Sequence, residues 1–533
     1  MSLAEVAYAV GAEAGLKEVL QSLEGRFRAS RETSPESRRV YYDTFDWRIY
    51  QAGGRLAARR SEEGVTLRWE GDDGVLRHRR QLAAMPGFVW ELPDGALRED
   101  LTPILKMRRL LPVVEVRRRA QVLRILDDEE KTVARVRLEH GSAVHPDQGA
   151  AAAGPLPTVL RVLPVKGYVT AHRRLQRFAE DELGLASAGR DELPLALEAV
   201  GRTPGDYSSK LKLSLDPAQR ADEAVRTIFR SLLQTMEANE DGLRQDLDSE
   251  FLHDFRVAGR RTRSALSQIK GVLPATVVGR FGAGFKWLGG ATGPTRDLDV
   301  YLLKIPGYRA ELPPAVRQDL EPLAAFLAAR QRTAHRRLVA ALDSQRYREL
   351  IRSWSEFLGD AGPLQPAAET PETAPPNAGR PILEVASERI WKVYRKVLKE
   401  GRAITPESPT EDLHQVRIRC KKLRYLLEFF RSLYEEQVIE PLIKRLKLLQ
   451  DNLGDFNDFQ VQQDSLKEFA EQMVKSRKVP AATLMAMGRL VEHLEAGQAR
   501  ERRRFHECFD RFAAKDNRRR FRRLFRRRQA QEG

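Results

Sequence analysis

Up to about residue 205, apolar positions come in short alternating runs. Val65-Thr-Leu-Arg-Trp69, Val113-Val-Glu-Val116 and Val133-Ala-Arg-Val-Arg-Leu138 are rich in β-branched residues with a period near two, which predicts strands. Asp72-Asp-Gly74 and Pro93-Asp-Gly95 are turn signals between such runs. A helix is expected over 171–184 after a turn at Gly167, and a Gly-, Ala- and Pro-rich loop over 140–157. From Asp216 the period changes. Asp216-Pro217 has the form of a helix start, and Leu232, Leu233, Met236 and Leu243 then share one helix side. Residues 359–381 read as a flexible or polyproline-like linker. The pattern predicts an α+β chain with two domains, 1–210 mixed and 216–530 helical. The linker divides the second into 216–358 and 382–530, each long enough for about four long helices.

Within the helical region a single phrase occurs twice. Glu250, His253, Arg256, Arg260, Arg261 and Arg263 recur in register as Glu411, His414, Arg417, Lys421, Lys422 and Arg424. At the same distance beyond each His stand Lys286 and Lys447, and later Gly293 and Gly454, each expected to break a helix. A repeat in fixed register means one helical unit used twice. At 100° per residue, positions 0, +3, +7 and +10 from each His fall within about an 80° arc of one face. The result is a stripe of His, Arg, Arg or Lys, and Arg, about 15 Å long. The copies then diverge. Arg296, Asp297 and Asp299 face Asn457, Asp458 and Gln460, so the first copy is expected to bind more tightly.

Charge agrees with the stripe. Lys and Arg number 91 against 75 Asp and Glu, a formal +16, and most of the excess falls after residue 215. That argues for a polyanionic partner over a merely soluble basic surface. Cys420 and Cys508 are far apart and in no metal spacing, which reads as a cytoplasmic chain. No apolar run suits a membrane span, and the N-terminus lacks the form of a secretory signal.

Arg offers a planar donor fork and Lys a point charge, and both suit phosphate oxygens. A His among cations should sit largely neutral until a phosphate binds. Two rivals fit less well. Glu250-x-x-His253 and Glu411-x-x-His414 have the spacing of di-iron bundles, but Arg256, Arg260 and Arg263 would repel a dication. Nucleic acid is suggested by Arg518–Arg528, which could equally be a frayed amphipathic helix. No RNP, zinc-finger or helix-turn-helix pattern accompanies it, and aromatics are 7%. A ligand with phosphates and no bases fits better. No motif calls for a cofactor or metal.

The twin His-x-x-Arg-x-x-x-Arg/Lys-Arg/Lys-x-Arg, with Gly-Pro-Thr-Arg296-Asp297-Leu-Asp299, resembles the CHAD family over about 216–528. The resemblance implies paired four-helix bundles with a basic central surface for inorganic polyphosphate. Its contacts would be His253, Arg256, Arg260, Arg261, Arg263, Lys286 and Arg296, then His414, Arg417, Lys421, Lys422, Arg424 and Lys447. Association with polyphosphate granules would follow. Residues 1–210 resemble the CYTH family of triphosphate tunnel metalloenzymes, through Tyr41-Tyr-Asp43-Thr44, Gly53-Gly-Arg55 to Arg59, and Arg117-Arg-Arg119. That implies a tunnel-like antiparallel sheet. The family's Glu-x-Glu-x-Lys is reduced here to Glu5-Val-Ala7-Tyr-Ala9, and Leu160 to Lys166 offers cations in place of alternating Glu. Metal-assisted phosphoryl transfer needs carboxylates to hold the dication, so this domain is expected to be inactive. The alternative is a metal-dependent triphosphatase that depends on Glu5.

Overall fold

The structure, a computed structural model, describes residues 5–10, 14–34, 36–189, 191–359, 375–476 and 479–526. The chain divides into two compact units, Met1–Ser208 and Ser209–Gly533.

The first unit is built on one antiparallel sheet. Its strands are β1 Val6–Val10, β2 Ala29–Thr33, β3 Ser37–Asp43, β4 Gly54–Ser61 and β5 Gly64–Gly71, then β6 Leu76–Leu82, β7 Leu111–Leu126, β8 Thr132–His145, β9 Gly149–Pro164 and β10 Ala186–Ser187. The order is β10-β1-β9-β8-β7-β3-β4-β5-β6, with β2 added alongside β7. Helices α1 Ala14–Arg26, α2 Arg48–Gln51, α3 Ala96–Leu105, α4 Val169–Arg177 and α5 Glu192–Ala199 connect or cover it. The expected strands lie in β5, β7 and β8, and Gly74, at φ 70°, turns the chain from β5 to β6. The expected helix over 171–184 is α4 followed by a wider π turn at Phe178–Glu182.

The loop expected over 140–157 is instead the hairpin of β8 and β9, with Gly141 opposite Leu156 and Ala143 opposite Gly154. Its small residues serve close approach. A Cβ on Gly154 would lie 1.9 Å from the Ala199 carbonyl oxygen of α5, and one on Gly141 1.9 Å from that of Arg117. Glycine here lets α5 sit against the sheet, where Leu193, Ala196 and Leu197 pack on Tyr41, Val114, Val116 and Leu156.

The second unit contains α6 Ala221–Arg244, α7 Ser249–Gln268, α8 Ala275–Glu311, α9 Glu321–Leu342 and α10 Gln345–Gly359, then α11 Ile382–Arg402, α12 Thr410–Phe429, α13 Glu436–Lys475, α14 Ala481–Phe512 and α15 Lys515–Phe525. Among the described residues each half thus has four long helices and a shorter fifth. The fifth closes its half with aromatics. Trp354 of α10 is fully buried, its ring centroid 4.9, 4.5 and 5.5 Å from Phe229, Phe281 and Phe285. Phe521 of α15 stacks on Tyr394 at 3.8 Å and Phe525 meets Tyr434 at 4.9 Å. The described part of the arginine-rich segment is therefore a docked helix, not a frayed one. A shared core of Leu298, Tyr301 and Leu323 with Leu466, Met487 and Leu490 joins α8 and α9 to α13 and α14.

Three further expectations need adjusting. The first helix starts at Ala221 rather than beside Asp216. Residues 217–220 are drawn off to 380–383, with the Ile382 N–H donating to the Gln219 carbonyl and the Ala221 N–H to that of Arg380. The linker 359–381 falls mostly on 360–374, outside the described residues. Its end is pinned, the Asn377 N–H donating to the Gly271 carbonyl at 2.7 Å. Finally, α8 and α13 run unbroken through Gly293 and Gly454. A helix clamped along its length by packing tolerates a glycine at about 1 kcal/mol. No helix among the described residues is long and apolar enough to cross a membrane.

Candidate functional site

The stripes lie on α7 and α12. Asp248 caps α7, accepting from the Glu250 and Phe251 N–H groups at 2.9 and 3.3 Å. Phe251, Phe255 and Ala258 then go into the core, so His253, Arg256, Arg260 and Arg263 are turned outward along the helix. Arg256 is half-buried and donates through Nη1 to the Gly289 carbonyl at 3.0 Å and the Thr292 hydroxyl at 2.7 Å. The small residues of α8 make room for these arginines. A Cβ on Gly289 would lie 3.1 Å from Arg263 Nη1, and one on Gly293 3.6 Å from Arg256 Nη1. A small cavity of about 80 Å³ remains between α7 and α8, bounded by Arg256, Arg260, Arg263, Phe285 and Thr292.

Beside it an open cleft of about 700 Å³ brings the two copies together, with Arg260, Arg263 and Lys286 on one side and Lys421, Lys422 and Tyr425 on the other. The later positions of the two stripes, Arg260 and Arg263 with Lys421, therefore line one groove. Burial lowers the pKa of Lys421 to about 8, and the charges of Arg417 and Arg260 push the same way, with Asp458 opposing. Burial also lowers Arg256, where Arg260 and Arg296 add to the effect against Asp297. Arg417 is lowered by burial and by Arg260, against Asp458. Arg260 thus acts electrostatically on members of both copies. Among the described residues no carboxylate pairs with Arg260, Arg263, Lys286, Lys421 or Lys422.

Other expected residues have different duties. Arg261 turns away, donating to Glu428 Oε2 at 2.9 Å and the Ser209 carbonyl at 3.3 Å. Arg296 donates to the Ser249 carbonyl at 3.0 Å and lies 3.7 Å from Glu250, so it secures the start of α7. That same Arg–Glu pair occupies the carboxylate of the first Glu-x-x-His. Arg424 is held by Glu428 at 2.6 Å and Gln450 at 3.4 Å, and Arg417 lies 3.6 Å from Asp458. His414 Nδ1 lies 2.8 Å from the Asn457 side-chain amide. His253 is half-buried on α7, and Lys447 is exposed on α13 outside both cavities.

The copies also differ outside the repeated phrase. Gly289 corresponds to Gln450, and Ser267 to Glu428. In the second copy an amide and a carboxylate engage the last arginine of the stripe; in the first, Arg263 is left open to solvent.

Asp299, which ends the Arg296-Asp297-Leu-Asp299 motif, is a structural carboxylate. It is 7% exposed and accepts from Gln331 Nε2 at 3.0 Å. Burial raises it to about 6, the Gln331 hydrogen bond opposing and Asp246 adding to the push. Since the folded pKa lies above the ordinary value, its stabilisation is complete below about pH 4 and is lost as pH rises through about 6. Relative to the parent, Asp299→Asn is expected to gain on the order of 2 kcal/mol in unfolding free energy between about pH 4 and pH 7. Denaturant titrations at both pH values would measure it, and a pH-independent difference would contradict it.

In the sheet unit, register puts a second set of cations on one face. Ala7 lies opposite Arg161, Arg161 opposite Arg137, and Tyr41 opposite Ala57, which pairs with Arg68. Arg59 is lowered by burial and by the charges of Arg39, Arg137 and Arg68. Sequence reading named Arg59 and Arg161 but missed Arg39 and Arg137 as members of this set, although alternation along the strands carried the signal. The carboxylates there are each taken by a guanidinium: Glu5 and Glu139 by Arg161 at 2.8 and 2.9 Å, Glu70 by Arg68 at 2.8 Å, and Glu192 of α5 by Arg118 at 3.0 Å. A divalent metal does not fit such a set, because each donor would have to leave an arginine first. Asp43, from the tunnel-like motif, caps α2 instead, accepting from the Thr44, Ile49 and Tyr50 N–H groups at 2.7 to 2.9 Å.

Residues 227–467 match the CHAD domain family model. Among solved structures, the CHAD domain of the plant Ricinus communis is 26% identical with a TM-score of 0.47, covering 57% of this chain and 96% of that one. PptA from Streptomyces chartreusis is 17% identical with a TM-score of 0.41, covering 55% and 99%. A candidate adenylyl cyclase from Hippeastrum, described as having a dominant triphosphatase activity, is 12% identical with a TM-score of 0.24, covering 38% and 99%. No curated protein matches the chain. The matched segment contains both copies of the stripe and the groove between them: the chain carries a CHAD domain.

Proposed function

We propose that the helical unit binds inorganic polyphosphate in the groove between α7 and α12, and that the sheet unit does not hydrolyse phosphoanhydrides. The supporting observation is the meeting of Arg260 with Lys421 and Arg417, cations from two copies of the repeat with Asp458 as the main opposing charge. Such crowding is relieved when a densely charged anion enters. Polyphosphate offers a charge at every unit and no bases, which suits a cleft where Tyr425 is the one aromatic among the lining residues. Arg260, Arg263, Lys286, Lys421 and Lys422 would make charge-assisted hydrogen bonds to successive phosphates, with no nucleophile or base involved. Equilibrium binding of long-chain polyphosphate and RNA at two salt concentrations tests this reading. Polyphosphate is expected to bind more tightly and to weaken steeply with salt. RNA competing equally at equal phosphate concentration would favour nucleic acid instead.

A second reading, a metal-dependent triphosphatase, draws on the arginine-lined face of the sheet unit. Against it stand the paired carboxylates Glu5, Glu70, Glu139 and Glu192. Tripolyphosphate with magnesium or manganese is expected to release no phosphate. Release that disappears in Glu5→Gln or Glu139→Gln would reinstate the enzyme.

A further inference from the structure

The cationic surface continues past the groove. α11 buries Ile390, Val393, Tyr394 and Val397 and leaves Lys392, Arg395, Lys396, Lys399 and Arg402 exposed. These five cations fall within about a 120° arc and run about 15 Å along the helix. Among the described residues none of them is in an ion pair, because the carboxylates of α11 are engaged elsewhere: Glu388 with Arg380 at 2.6 Å, and Glu400 with Arg419 at 3.1 Å. The corresponding positions on α6 are Ser231, Gln234, Thr235, Ala238 and Asp241. The stripe on α11 is therefore a property of the second half alone.

It is connected at both ends. Lys422, which lines the groove, is lowered by burial, by Arg419 and by Lys396 of α11. Tyr394 of α11 lies within the field of Arg518, Arg402 and Arg522, which ties the other end to α15. α15 is fixed by Phe521 and Phe525 and by the Asn517 amide, which donates to the Phe512 carbonyl at 2.7 Å. Its exposed Arg518 and Arg522, one turn apart, have no carboxylate partner among the described residues, whereas Arg519 is paired with Asp516. Tyr394, Phe521 and Phe525 are buried, so they offer no platform for stacking bases.

We propose that α11 and α15 form a second anion-binding face that extends the groove, so that one polyphosphate chain seated between Arg260 and Lys421 runs on past Lys396 and Arg402 to Arg518. This rests on the polyphosphate reading above and adds a surface outside the stripes. A short chain would fill the groove alone; a long one would engage both, as a multivalent ligand.

The test compares two variants of the full chain, one with Lys396→Glu, Arg402→Glu and Arg518→Glu, the other with Arg260→Glu. All four side chains are exposed, and a Gln version of the triple variant guards against misfolding by charge reversal. The triple variant is expected to lose at least about tenfold in affinity for long-chain polyphosphate, with a shallower salt dependence, while binding tripolyphosphate as the parent does. Arg260→Glu should weaken both ligands. If the triple variants bind the long polymer normally while Arg260→Glu does not, the extension is wrong and the groove stands. If neither change weakens either phosphate, the polyphosphate reading itself fails. RNA held more tightly than polyphosphate by the parent, and lost in the triple variant, would overturn the ligand class.

Discussion

A chain carrying both Arg260→Glu and Lys421→Glu is expected to lose retention on immobilised polyphosphate at moderate salt while melting like the parent. Each charge-assisted contact to a phosphate is worth about 1.5–3 kcal/mol, and reversal adds repulsion, so the pair should cost a hundredfold or more in affinity. Structural cost should be small. Arg260 is exposed and Lys421 half-buried, and no carboxylate among the described residues forms an ion pair with either. Changing Lys421 also removes a cation that its neighbours oppose. Arg256 and Arg417 look equivalent in the repeat, but they make a poorer test. Arg256 ties α7 to the Gly289 carbonyl and Thr292 of α8, and Arg417 faces Asp458 of α13, so reversing them mixes stability with binding. Undiminished retention by the Arg260/Lys421 variant would remove the groove as the site.

What the sequence made legible follows from the range of the interactions concerned. The twin stripe is a local pattern: helical spacing within a dozen residues fixes which side chains share a face, and the faces lie where the spacing put them. That the two stripes oppose each other across one cleft depends on how α7 meets α12, which no local pattern encodes. The same limit explains Arg261 and Arg424, whose spacing resembles that of their neighbours but which share Glu428, and Arg296, which is spent on the start of α7. Asp299 looked like part of the motif because it follows Arg296 closely; its burial against Gln331 comes from α9, which contacts α8 only in the fold. The loop expected over 140–157 failed for a different reason. Glycine and proline signal turns when nothing packs on them, yet Gly154 is small because α5 lies against it. The arginines facing Arg59 were readable in principle from strand alternation, but each strand contributes only one or two, and register alone brings them together.

Polyphosphate affinity is also expected to depend on pH through Lys421. In the free groove its pKa is lowered to about 8, first by burial and then by Arg417 and Arg260. A phosphate placed beside it favours the charged form and raises that value, so binding above pH 8 is accompanied by proton uptake. Affinity should therefore be flat below about pH 8 and fall as pH rises through that value, by up to about tenfold per unit, until the pKa of the bound state is reached. The internal phosphates of a long polymer do not titrate in this window, which assigns the change to the protein. Lys421→Arg keeps a charge that no longer titrates, since a guanidinium stays protonated even when crowded. The variant should bind as the parent does near neutrality and hold that affinity into the alkaline range. Kd measured for both chains across this range at constant ionic strength decides the matter. Two parallel profiles would mean that Lys421 does not set the pH response, whereas a decline confined to the parent would place this lysine, its cationic neighbours and the bound phosphate in one electrostatic unit.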